Sequence, residues 1–161
     1  MAADSRFKHS AAAVKARLGT RVKRAAADIF SGALIPLFNV ERGKILLTHI
    51  HIDVSAAAMD ATNNNTQLIA TPDVGTGMPM CAVLDIISAA IGAVFSIAGP
   101  VATAMTGPVA GGGAMAMDRP QIINAGTIDI DGSADSGVGG ALGAVTLYYI
   151  PLEDGAYVTA T

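Results

Sequence analysis

The residues whose types and spacing can do chemistry are few. His49-x-His51 sets two imidazoles on one face of a β-strand, about 6.6–7 Å apart along it, and Asp53 follows on that face. Such a pair ligates a metal if a further ligand arrives from elsewhere in the fold. It reads equally as a polar strand face or as a contact between subunits. Near a symmetry axis the pair would make assembly respond to pH between about 5 and 7. Asp129-x-Asp131-Gly132-x-x-Asp135 resembles a fragment of a calcium loop. It lacks the third ligand before the glycine and the later bidentate Glu. Carboxylates at a strand end, with Asp131-Gly132 as a turn, are the simpler reading. Cys81 is the single cysteine, set between Met80 and Ala82. It reads as a buried, inert thiol, and it excludes a disulfide framework and a cysteine zinc site.

Catalytic signatures are missing. The chain has no G-x-S-x-G, so no serine on a nucleophile elbow is indicated. Gly111-Gly112-Gly113 and Gly137-Val138-Gly139-Gly140 lack the Gly-Lys-Ser/Thr of a phosphate loop. Asp53, Asp85, Asp129 and Asp131 can in principle supply an acid pair, but the chain has no Trp to line a sugar cleft. The expectation is a protein that is not an enzyme, with no cofactor and no bound metal.

Charge is the stronger signal. Arg6, Lys8, Lys15, Arg17, Arg21, Lys23 and Arg24 stand against Asp4 alone in residues 1–27, a net +6. The rest of the chain carries three cations and twelve carboxylates, a net −9. A basic arm therefore precedes an acidic body. The arm can meet nucleic-acid phosphates, an acidic protein surface or an anionic membrane, or stay solvated. Phe7 is the only aromatic residue among its cations in residues 1–27, which argues against base stacking. An acidic body also repels nucleic acid, so nucleic acid is the less expected partner. A membrane partner is not expected either. Residues 86–117 are uncharged, but Gly99-Pro100, Gly107-Pro108 and the triple glycine interrupt them. Residues 86–97, the longest unbroken stretch, fall short of the ~20 a spanning helix needs.

Positioning these residues requires elements. Residues 10–29 read as a helix: Ser10 can cap it, and Val14, Leu18, Val22, Ala25 and Ile29 form one stripe at helical period. Beyond it lie short β-type runs at 34–40, 44–54, 66–71, 80–86, 93–97, 121–124, 127–131, 141–152 and 156–161, separated by turn residues. In 44–54, strict alternation puts Leu46, Thr48, Ile50, Ile52 and Val54 on the core face. Ile45, Leu47, His49, His51 and Asp53 take the other. No βαβ alternation is visible, so the sheets should be antiparallel. The fold class expected is mainly β, an antiparallel β-sandwich or jelly roll with an N-terminal basic helical arm. Residues 1–30 form the arm and 31–161 the body. The apolar 99–120 loop is expected at a subunit interface. Pro100, Met105, Pro108, Met115 and Met117, with His49 and His51, are its candidate residues.

Several stretches carry a resemblance in order along the chain. They are Leu37-Phe38-Asn39-Val40 with Gly43-Lys44-Ile45-Leu46-Leu47-Thr48, then Thr66-Gln67-Leu68-Ile69-Ala70-Thr71-Pro72, then Cys81-Ala82-Val83-Leu84-Asp85-Ile86. Ala125-Gly126-Thr127-Ile128-Asp129-Ile130 follows, and then Val145-Thr146-Leu147-Tyr148-Tyr149-Ile150-Pro151-Leu152 with Asp154-Gly155. Together they resemble small virion proteins of tailed bacteriophages, the head decoration or cement proteins, across about residues 34–158. The resemblance implies a β-sandwich or jelly-roll body. It also implies a homotrimer on the outer surface of the capsid, bound where major capsid protein subunits meet, with no enzyme activity and no cofactor. The arm lies outside the resemblance. On this reading its seven cations clamp acidic capsid surface. The alternatives are a nucleic-acid-binding module acting through the arm, and a fibre or adhesin component of the virion.

Overall fold

The computed structural model describes residues 18–59, 65–107, 119–134 and 141–161. Among these, the strands in chain order are β1 Thr20–Ala27, β2 Ile35–Glu41, β3 Ile45–Ser55, β4 Asn65–Pro72, β5 Met78–Pro79, β6 Leu84–Asp85, β7 Val94–Ser96, β8 Gln121–Ile123, β9 Gly126–Gly132, β10 Leu142–Pro151 and β11 Tyr157–Ala160. They form two sheets in which every strand pair is antiparallel. The first has the order β1-β10-β3-β7, with β8 also pairing β3. The second has the order β11-β2-β9-β4-β5, with β6 also pairing β4. The protein is thus mainly β, as its run-and-turn texture predicts.

One core joins the two sheets. Val145 and Leu147 of β10, Ile50 and Ile52 of β3 and Phe95 of β7 come from the first, and Phe38, Leu68, Ile128 and Ile130 from the second. Alternation along β10 sends Val145, Leu147 and Tyr149 inward, and the Tyr149 hydroxyl accepts the Val158 amide across the core edge. A buried phenol needs such a partner to offset its desolvation.

Three expectations are corrected. The first is the helix. Residues 20–27 are a strand, paired with β10 from Thr20 opposite Tyr149 to Ala27 opposite Gly143. Helix propensity is a weak prior, and the open edge of β10 outweighs it. Gly19, which weakens a helix, has a different task. Its φ is 87°, and a Cβ there would lie 2.1 Å from the Tyr149 carbonyl oxygen. Ile29 and Phe30 are buried in the core, so the end of the expected arm is part of the body. The expected helix over residues 10–17 lies outside the described residues.

The second correction is the face of β3. Tyr148 pairs with His49 but Tyr149 pairs with Leu47, so Thr48 is an extra residue, a β-bulge. A bulge inverts the alternation on one side of it. Ile50, Ile52 and Val54 face the core as expected, but before the bulge Ile45 and Leu47 do so instead of Leu46 and Thr48. The Thr48 hydroxyl donates to the Leu18 carbonyl, fastening the entry to β1.

The third concerns the apolar middle. Of the strand expected at 80–86, only Leu84–Asp85 forms a strand, paired with β4, while Ala82 makes an isolated bridge to Ala104. Of the 99–120 loop, Met105 is buried in the chain's own core rather than offered to a neighbour, while Pro100 is exposed. Thr106 bridges Ser96 and so continues the first sheet beyond β7. Pro108, Met115 and Met117 lie outside the described residues.

Candidate interaction face

The outer face of the first sheet gathers the polar residues that the sequence singled out. Register sets them in rows. Arg21 of β1 lies opposite Tyr148 of β10, and Tyr148 opposite His49 of β3. In the next row Lys23 faces Thr146, Thr146 faces His51, and His51 faces Ser96 of β7. Asp53 follows, between Ala144 and Val94. Thr146 and Ser96 are only 4% and 1% exposed although they sit on the outer face.

The two imidazoles are half-buried side by side, with ring centroids 5.2 Å apart and planes tilted by 44°. The Tyr148 ring stands 6.0 Å from that of His49. His51 Nε2 lies 3.6 Å from Asp53 Oδ2. Nδ1 of both histidines is closed to solvent without a hydrogen-bond partner. Burial pushes the His49 pKa below its ordinary value, and the neighbouring His51 adds to the shift. Burial also lowers that of His51; Asp53 opposes this, while Arg21 and Lys23 reinforce it. Both rings therefore favour the neutral form. Among the described residues no three His, Cys, Asp or Glu side chains gather as metal ligands.

The seven cations expected to act together divide. Arg6, Lys8, Lys15 and Arg17 lie outside the described residues. Arg21 and Lys23 are exposed on the outer face, next to the histidines in register. Arg24 has the opposite parity, pairing with Val145, whose partner in β3 is Ile52. Its guanidinium points to the core side, where Nε and Nη1 are buried without partners.

The remaining sequence candidates sit elsewhere. Asp129 is buried in β9 and accepts a hydrogen bond from the Thr71 hydroxyl. Asp131 accepts one from Gln67 Nε2 at 3.4 Å. These carboxylates serve cross-strand pairs, and Asp135 lies outside the described residues. Cys81 is buried, its sulfur 3.4 Å from the Leu68 amide, and burial pushes its pKa up. A thiol held protonated is a poor nucleophile.

One feature escaped the sequence reading. Met78, Val101 and Ile122 are exposed around a groove of about 290 Å³ between β5 and β8, lined also by Pro72, Pro79 and Met80. Gln121 Nε2 donates to the Met80 carbonyl at 2.8 Å beside it. The clue was the parity of β8, which turns Ile123 inward and leaves Ile122 64% exposed. Comparison with protein-family models, with curated proteins and with solved structures finds no match.

Proposed function

We propose that the chain is a virion structural protein, a decoration protein of a tailed-phage head. In this reading a β-sandwich or jelly-roll body assembles as a homotrimer on the outer capsid surface and bridges major capsid subunits. The observation that carries the reading, beyond the resemblance in residues 34–158, is the anchorage of the basic arm. β1 is paired into the sheet, so residues 1–17 begin from a fixed point beside exposed Arg21 and Lys23. Seventeen residues span at most about 60 Å when extended, enough to reach a neighbouring subunit on a lattice. Each arm binds weakly, and the symmetric body makes the attachment tight through avidity. Binding to the assembled shell alone stabilises it by mass action, without chemistry.

The test neutralises Arg17, Arg21 and Lys23 to Gln. The variant should fail to cosediment with empty heads while light scattering still reports a trimer, about 49 kDa from 16.2 kDa chains. Unchanged head occupancy refutes the arm as the clamp. A DNA mobility shift that collapses between about 50 and 200 mM salt would favour the nucleic-acid reading instead.

A further inference from the structure

We propose that His49 and His51 form an acid-sensitive latch on β1, whose protonation loosens the strand that carries the basic arm from β10. The inference concerns how the arm is held and does not depend on what the arm binds.

The geometry makes protonation costly here. A charged imidazole must donate from both ring nitrogens. Nδ1 of each ring is closed to solvent and has no acceptor. A neutral ring can keep its proton on Nε2, where His51 meets Asp53. Charging either ring adds a buried donor without a partner, and it does so with the second ring 5.2 Å away.

The charges around the pair are lopsided. β1 brings Arg21 and Lys23 to this face, and β3 brings Asp53. β10 brings Tyr148 and Thr146, and β7 brings Ser96 and Val94. Thr106 extends the same sheet next to Ser96. At neutral pH the described residues of the face hold two cations and one carboxylate. With both rings protonated they hold four cations and one carboxylate. Linkage is reciprocal. Arg21 and Lys23 disfavour the charged form of His51, so a proton on His51 must equally disfavour the docking of the strand that carries them.

β1 is also the element able to respond. Among the described residues it is an edge strand with β10 as its single strand partner, and its register slips between Arg24 and Ala27. Its outward residues are exposed, and its inward ones, Val22, Arg24 and Ala27, are half-buried. Such elements open well below the cost of global unfolding. The histidines lie two strand spacings from β1, about 10 Å, close to the Debye length of ~10 Å at 0.1 M salt. Each pair therefore repels modestly, and four pairs together shift the opening equilibrium about tenfold at low salt.

Peptide-resolved hydrogen exchange on the full chain tests this at about pH 7 and about pH 5, after correction for intrinsic rates. Protection across Thr20–Ala27 should fall about tenfold on acidification while protection in β9 stays within about twofold, and H49Q/H51Q should abolish the difference. Unchanged protection of β1 at the lower pH, or an equal fall in the variant, overturns the proposal. Imidazole titration by NMR of the unaltered chain keeps it decidable if the variant does not fold. Midpoints below 6.5 that rise in R21Q/K23Q support the latch, and midpoints at or above 6.5 overturn it.

Discussion

Gly19→Ala separates the strand from the helix by the sign of its effect. In a helix this substitution stabilises by about 1 kcal/mol, because alanine loses less backbone freedom than glycine. In the structure Gly19 has φ 87°, a region that costs an L-residue about 1–2 kcal/mol. The new Cβ would also lie 2.1 Å from the Tyr149 carbonyl oxygen and 2.8 Å from Ile150 Cγ1. The first is backbone and cannot swing aside, so β1 must shift at its first pair, Thr20 opposite Tyr149. Overpacking of that kind adds about 1–3 kcal/mol, for a total of roughly 2–5 kcal/mol. Urea denaturation followed by far-ultraviolet circular dichroism reads this directly. With a slope of about 2 kcal/mol per M, the midpoint should fall by about 1–2.5 M. A midpoint equal to or above that of the parent would refute the account of Gly19 and of the entry to β1.

Stability should also track the histidines. Their folded pKa values lie below the unfolded value of 6.5, so the unfolded chain binds protons first on acidification. The contribution is therefore complete above about pH 6.5 and is lost as pH falls toward the folded values. Urea midpoints measured from about pH 7 to 5 should decline in the parent and decline less in H49Q/H51Q; equal slopes would contradict this. Cys81 should resist a thiol reagent in the native protein and react only on unfolding, since the thiol is both buried and held protonated. Rapid labelling of the folded chain would show that the segment from Met80 to Ala82 opens.

Legibility in the sequence followed the strength of local alternation. β10 pairs along its whole length and was plain from alternating Val145, Leu147 and Tyr149, as was the His49, His51 and Asp53 face. β1 was not, because Val14, Leu18 and Val22 fit a helical stripe and the decisive fact, a free edge on β10, is a tertiary one. The Thr48 bulge was illegible for a related reason. Nothing in Leu46-Leu47-Thr48 marks an insertion, and only the pairing of Tyr148 and Tyr149 with His49 and Leu47 exposes it. Arg24 shows the limit for the site. Counting cations placed it with Arg21 and Lys23, but a strand alternates where a helix does not, and one residue of parity sends it to the core side.

That parity connects the fold to how the chain can assemble. A free strand edge invites pairing with another chain, and proteins blunt it with charge, proline or brevity. The strands at the ends of the two described sheets carry such a device or are covered. β1 carries Arg21, Lys23 and inward-facing Arg24. β11 spans four residues, and Tyr157 donates from its hydroxyl to Glu41 rather than facing outward unpaired. β5 is two residues long and ends in Pro79. Beyond β7 the Thr106 bridge occupies Ser96. Edge-to-edge growth of the sheets is therefore disfavoured along the described strands. The proposed trimer would bury side-chain surface instead, and the groove ringed by exposed Met78, Val101 and Ile122 is one apolar surface available for it. Charging that rim with I122E would leave the monomer folded, because Ile122 is already 64% exposed. If the proposed trimer forms through this groove, the variant should run as a monomer in light scattering, whereas a trimer of unchanged mass would move the contact to another face.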